Sequence, residues 1–187
     1  MDIYLLRHGD ADMLTNPDIY SSPLTSEGQD QAAKLAGQCV GWDIQFLITS
    51  TMARALETAD VISEALPAIE RWDMNDLEDV NQDDLMGDPS AGPLLHTWTP
   101  EHWRAGYERT WVRVTALWSR IELLAGAKGY ERLAIVGHDS TIALLLLSWL
   151  GLDWRSLDHL IWAFDAGSST KVTLNDGKVS IDWVNRP

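Results

Sequence analysis

Two short apolar runs in this chain each end in a histidine, and no other feature narrows its possible folds as far. The first is Ile3-Tyr4-Leu5-Leu6, followed by Arg7-His8-Gly9; the second is Leu133-Ala134-Ile135-Val136-Gly137, followed by His138. Runs of this length and composition read as buried strands. The segments between them carry helical spacing, so the chain alternates strand and helix, which is the pattern of an α/β fold. Open α/β sheets place their ligand sites at the C-terminal edge of the strands. Two strands that end in histidine therefore point to one site assembled from distant parts of the chain. Gly9 lets the backbone turn sharply there and lets a ligand come close.

After the first strand, residues 10–23 lack a period and contain Asn16-Pro17 and Ser21-Ser22-Pro23, so they read as a loop. A helix follows, capped by Thr25 or Ser26, with the apolar stripe Ala32, Leu35, Ala36 and Cys39, and ends at Gly41. Phe46–Ile48 is a short strand, and Thr49-Ser50-Thr51 supplies caps for the next helix, whose stripe is Met52, Ala55, Leu56, Ala59 and Ile62. Ile69–Trp72 reads as another short strand. Residues 73–102 form an irregular, acid-rich excursion; Leu94-Leu95 and its aromatics suit a lid packed over the site. A long amphipathic helix then repeats Trp103, Tyr107, Thr110, Trp111, Val114, Leu117, Trp118 and Ile121. That stripe reads better as a core face than as a ligand groove. The C-terminus alternates in period two on either side of Asn175-Asp176-Gly177, a hairpin signal. Residues 1–187 read as one domain.

Composition excludes several classes of partner. The net charge is -14, which argues against nucleic acid, whose recognition needs a basic footprint, and against anionic membrane surfaces. The segment around Ile142–Leu147 is too short to span a bilayer. With no signal-peptide pattern, a cytoplasmic protein is expected. The single cysteine, Cys39, falls on an apolar helical face and reads as core, and no C-x-x-C pair suggests a metal site. His96, His102 and His159 have no motif around them and read as surface or packing residues. Most of the ten tryptophans read as packing, with one or two available to line a substrate pocket.

Arg54 is the third chemical element. In the first turn of its helix a guanidinium joins free backbone N–H groups and the positive end of the helix dipole, and all three attract an anion. Arg7 and Arg54 are suited to a bidentate grip on phosphate oxygens. His8 and His138 can donate, accept or attack. Phosphoryl transfer needs charge neutralisation and positioning above all. The set suits attack on a phosphate monoester through a phosphohistidine, without a metal or other cofactor.

In these residues the chain resembles the histidine phosphatases, the phosphoglycerate mutase-like superfamily, and its branch 1. Leu6-Arg7-His8-Gly9 matches the defining motif; Pro23-Leu24-Thr25 with Gly28 and Gln31-Ala32, then Ser50 with Arg54-Ala55 and Thr58-Ala59, then Val136-Gly137-His138 resemble the later ones. The resemblance implies a three-layer α/β/α sandwich around a mostly parallel sheet, with an excursion above the site. It implies a nucleophilic His8 and a phosphate clamp of Arg7, Arg54 and His138, with a phosphorylated small molecule as partner and a phosphate or sulfate able to occupy the site.

The general acid stays open. The family's acid usually lies in the excursion in a Leu-x-Glu-like sequence, and within Asp76-Leu77-Glu78-Asp79 the best match is Glu78. Asp139 is the rival: His-Asp at this place resembles the acid phosphatase and phytase branch, although an aspartate there also caps helices. Asn16 is a candidate displaced polar ligand. The leading expectation is a phosphatase of small phosphorylated metabolites. The Arg-His-Gly-Asp-Ala start resembles bacterial phosphohistidine phosphatases, so a protein substrate is an alternative. A phosphoglycerate mutase would need further basic groups, and loss of the acid would leave a non-catalytic phospho-ligand sensor. Exposed aromatics offer a face for a homodimer, with nothing to set its symmetry.

Overall fold

The computed structural model describes residues 1–12, 18–85, 88, 90 and 97–187. Six strands form one sheet: β1 (Asp2–Arg7), β2 (Phe46–Ser50), β3 (Glu70–Met74), β4 (Arg132–Gly137), β5 (Ser169–Asn175) and β6 (Lys178–Arg186). Their order is β3-β2-β4-β1-β5-β6. The first four run parallel, while β5 and β6 pair antiparallel at one edge. Among the described residues the four α-helices are α1 (Ser26–Gly41), α2 (Ala53–Ala65), α3 (Pro100–Lys128) and α4 (Asp139–Trp149).

Strand alternation divides the core into two layers. Ile3, Leu5, Phe46, Ile48, Leu133 and Ile135 pack on one face against α3 and α4. Tyr4, Leu6, Leu47, Ala134 and Val136 pack on the other against the stripes of α1 and α2. The result is the expected α/β/α sandwich with a mostly parallel sheet. Cys39 is fully buried in the second layer, and burial pushes its thiol up to about 12. Among the described residues no helix is long and apolar enough to cross a membrane.

Local chemistry explains most boundaries. Thr25 caps α1, its side chain accepting from the Gly28 N–H at 3.1 Å. Thr99 caps α3, Pro100 follows at the first helical position, and Gly129, at φ 70°, ends the helix. Asp176 and Gly177 both take positive φ in the turn between β5 and β6, as a tight hairpin of this type requires. Two readings change. The cap residue of α2 is Met52, with no side-chain cap, because the hydroxyls of Ser50 and Thr51 are turned to other partners. Asp139 is not the cap of α4; it is the first helical residue, and His138 holds the cap position.

The loop after β1 is fastened by α1. Asp10 N–H donates to Gln31 Oε1 at 2.7 Å, Thr25 Oγ1 donates to Asp10 Oδ2 at 2.7 Å, and Thr25 N–H donates to Asp10 O at 3.0 Å. Backbone crosses backbone at Gly28, where a Cβ would lie 2.0 Å from Asp10 O. Gly28→Ala should therefore cost about 1–3 kcal/mol of stability through overpacking and lower turnover by shifting the loop that carries His8. Urea unfolding and initial rates check this; unchanged values for both would contradict it.

Candidate active site

The strand register brings the two histidines together. Arg7 is opposite Gly137 in the parallel pair β1–β4, and His8 N–H donates to Gly137 O at 3.1 Å. The imidazole centroids of His8 and His138 lie 5.0 Å apart. Both side chains are buried.

Hydrogen bonds fix the state of His8. Its Nδ1 lies 2.6 Å from Gly9 O; a carbonyl only accepts, so Nδ1 carries the proton. Nε2 then keeps its lone pair, which accepts from Arg54 Nε at 2.9 Å. Burial first, and then the cationic forms of His138 and Arg54, hold the His8 pKa well below the usual histidine value. The group is a neutral imidazole with its basic nitrogen turned toward a guanidinium.

Arg54 is fully buried at the start of α2. Its Nη1 donates to Ile19 O at 2.6 Å and its Nη2 to Asp79 Oδ2 at 3.3 Å. The Thr58 hydroxyl, one turn further on, donates to Arg54 O at 2.7 Å and accepts from Gly9 N–H at 3.1 Å. This ties α2 to the turn behind His8. Arg7 donates from Nη1 to Phe164 O, while its buried Nε has no hydrogen-bond partner.

His138 Nε2 lies 2.9 Å from Ser50 Oγ. That hydroxyl already accepts from Met52 N–H, so its proton is free for Nε2, which assigns the His138 proton to Nδ1. This Nδ1 is buried without a hydrogen-bond partner and lies 3.8 Å from Asp79 Oδ2. Burial first, and then Arg54, Arg113 and Arg7, hold the His138 pKa well below its usual range. Two buried donors, Arg7 Nε and His138 Nδ1, thus have no hydrogen-bond partner among the described residues, a pattern suited to an oxyanion.

A cleft of about 370 Å³ opens over Arg7 and His8. Its floor includes Arg7, His8, Asp79, Asp139 and Ser140, and Trp103, Tyr107 and Trp162 stand in its walls. Asp79 accepts from Val80 N–H at 3.0 Å and from Ser140 Oγ as well as from Arg54. Asp139 accepts from Ser140 N–H at 2.9 Å. Desolvation, followed by the charge of Asp79, raises the Asp139 carboxyl above its ordinary value.

The structure thus brings together Arg7, His8, Arg54, His138 and Asp139. Glu78 lies aside from the cleft lining: it accepts from Thr51 Oγ1 at 2.6 Å and from Asn81 Nδ2 at 3.5 Å. Asn16 and His96 fall outside the described residues. His102 closes the cap of α3, where its Nδ1 accepts from Thr99 N–H at 3.2 Å, and His159 is exposed. Sequence reading named Asp79 only as a charge beside Glu78 and Ser50 only within a motif, with no hydrogen-bonding role in the site for either. The carboxylate was one of many in an acidic stretch and the hydroxyl read as a helix cap.

The two neutral imidazoles have a consequence for stability. Below the ordinary histidine value of 6.5 the unfolded chain protonates both rings and the folded chain does not. The unfolded state then binds more protons, so stability falls as the pH drops from about 6.5. Asp139, with its raised carboxyl, acts in the opposite sense, one group against two. The urea midpoint should be lower at pH 5.5 than at pH 7.5; a flat or rising midpoint would contradict the assignment of both rings as neutral.

A family model described as the histidine phosphatase superfamily, branch 1, matches residues 3–187. Probable phosphoglycerate mutases GpmB from Escherichia fergusonii and Cronobacter sakazakii are each 30% identical over 95 residues. The match spans 46% of this chain and 44% of each relative, so less than half of those proteins is represented. Solved structures share the fold over essentially the whole chain. Bacillus stearothermophilus YhfR aligns with a TM-score of 0.76 at 20% identity, over 100% of this chain and 97% of that one. The alpha-ribazole phosphatase from Shigella flexneri gives 0.74 at 19%, over 99% and 96%. A mycobacterial glucosyl-3-phosphoglycerate phosphatase gives 0.75 at 20%, over 100% and 99%.

Proposed function

The chain belongs to the histidine phosphatase superfamily, branch 1, and from that premise we propose that it hydrolyses phosphate monoesters of small molecules through a phosphohistidine at His8. The observation that carries this reading is the tautomer of His8. His8 Nδ1–H donates to Gly9 O, which leaves a nucleophilic Nε2 among the cationic and donor groups a phosphoryl group needs.

In this reading Arg7, Arg54 and His138 Nδ1–H bind the non-bridging oxygens. The Arg54 Nε–H, now on His8 Nε2, passes to a phosphate oxygen when substrate enters and frees the lone pair. Nε2 attacks phosphorus as the P–O bond to the leaving group breaks. Asp139 in its acid form gives its proton to the departing oxygen. The same carboxylate then takes a proton from water, whose oxygen attacks the phosphohistidine and releases inorganic phosphate and neutral His8. The raised carboxyl of Asp139 suits this role better than Glu78, whose oxygens are held by Thr51 and Asn81.

The guanidiniums supply the charge neutralisation that a metal provides elsewhere, so turnover should survive chelation. The test is hydrolysis of nitrophenyl phosphate with and without chelator, with phosphate-labelled enzyme recovered after rapid quenching at alkaline pH. Chelator-resistant turnover with base-stable, acid-labile label on histidine is expected. Turnover that needs an added metal, or label on another residue type, would overturn the reading.

A further inference from the structure

The walls of the cleft differ in kind from its floor. From α3 come Trp103 and Tyr107, whose rings lie 5.9 Å apart. From the segment before β5 come Leu157, Leu160, Ile161 and Trp162. Ile161 is 96% exposed and Leu160 42% exposed, so the mouth of a polar site is rimmed by large apolar side chains facing water. Trp162 Nε1 is buried and has no hydrogen-bond partner. The apolar recess continues past Trp103 and Tyr107 to Pro100 and Trp154.

The charges are equally selective. Among the described residues that line the cleft, Arg7 is the only lysine or arginine, and the proposed reaction commits it to the phosphoryl group. Arg104, in the adjoining recess, is paired with Asp158. A second anionic group on a substrate would find no free cation here and would meet Asp79 and Asp139. An anion left without a cation beside the Asp79 carboxylate is disfavoured. Apolar rings, by contrast, gain from covering the exposed rim and from offset stacking on Trp103 and Tyr107.

We propose that the leaving group of the natural substrate is a planar aromatic body with no negative charge. This inference rests on the phosphatase reading above and adds the substrate class to it. Substrates that carry a carboxylate or a second phosphate are rejected by the same walls.

The experiment compares phosphomonoesters of primary alcohols, so that leaving-group acidity stays similar: naphthylethyl phosphate, propyl phosphate and phosphoglycerate, with nitrophenyl phosphate as a reference for bare chemistry. For the wild type, kcat/KM for the naphthylethyl ester should exceed that for the propyl ester by at least about tenfold, equivalent to about 1.4 kcal/mol, and phosphoglycerate should be the poorest. Trp103→Leu and Ile161→Ser should each pull the naphthylethyl-to-propyl ratio toward one. Equal rates for the naphthylethyl and propyl esters, or a preference for phosphoglycerate, would overturn the subsite and leave the phosphatase reading standing. An aromatic preference that survives both substitutions in folded protein would overturn its assignment to these walls. Failure on every ester, nitrophenyl phosphate included, would overturn the phosphatase reading itself, and the subsite with it. The wild-type series decides the matter even if a variant fails to fold.

Discussion

His8→Ala should abolish turnover while leaving a folded protein that still binds phosphate. Loss of a nucleophile costs on the order of 10⁴–10⁶ in rate, because the remaining groups cannot replace the bond that His8 Nε2 forms. The fold should tolerate the change. The His8 side chain contacts Gly9 O and Arg54 Nε at the edge of the sheet, outside both apolar layers. Its removal strands the Arg54 Nε–H, a cost of about 1–3 kcal/mol, offset in part where water reaches it through the cleft. Arg7, Arg54 and His138 remain to hold an oxyanion. Inorganic phosphate should therefore still raise the melting temperature of the variant, by mass action on the folded state. Rates and thermal shifts on the same preparation check this. A folded variant that keeps more than about a tenth of wild-type turnover would refute a nucleophilic His8. His8→Asn, which keeps a polar side chain near Arg54, serves if the alanine variant unfolds.

That prediction was legible from the sequence because its residues end strands. A short apolar run followed by histidine leaves little freedom in where the imidazole goes, and the parallel pairing of β1 with β4 sets Arg7 opposite Gly137. Arg54 was legible as an anion-seeking group in a first helical turn, but its complete burial was not. That burial depends on Ile19 and Asp79, which lie 35 and 25 residues away in the chain. The proton donor was the hardest element to read. The run from Asp76 to Asp84 presents several carboxylates, and a linear pattern cannot say which one turns into the cleft. Arg113 of α3 sets how that run is held. The guanidinium takes the backbone oxygens of Asp76, Glu78 and Asp79 at 2.8, 2.6 and 3.0 Å, and the carboxylate of Asp84 at 3.0 Å. Residues 76–84 are wrapped around one cation from a distant helix, and that wrapping presents Asp79 to the cleft and Glu78 to Thr51. The aromatic stripe of α3 was read as a single core face and is divided. Val114, Leu117, Trp118 and Ile121 are fully core, while Trp103 and Tyr107 pack against Val80, Leu85 and Trp98 and also line the cleft. The period shows a shared helix face; it carries no information on where the sheet beneath that face ends.

Asp139→Asn should slow hydrolysis of an alkyl phosphate by about 10²–10⁴-fold and hydrolysis of nitrophenyl phosphate far less, because general-acid assistance matters most when the departing oxyanion is strongly basic. The wild-type pH profile bears on the same assignment. The Asp139 carboxyl is raised and must be protonated, so the rate falls as the pH rises through its pKa. His8 is depressed and must be neutral, so the rate falls on the acid side only well below the usual histidine range. The optimum is therefore displaced to acid pH, and Asp139→Asn should remove the alkaline limb set by this residue. Asp79→Asn behaves differently. It deprives Arg54 and Ser140 of their acceptor, so both esters should slow together, and removal of the charge that raises Asp139 moves the alkaline limb to lower pH. Glu78→Gln, which changes a carboxylate bound to Thr51 and Asn81, should leave the ratio between the two esters as it was. The three variants separate the three carboxylates. An alkyl-selective loss in Glu78→Gln, with a wild-type ratio in Asp139→Asn, would return the acid to Glu78; the same loss in Asp79→Asn alone would place it at Asp79. A ratio unchanged in all three would mean that the leaving group departs without protonation by any of them. The chain would then turn over only esters of acidic alcohols and would bind alkyl phosphates without appreciable turnover.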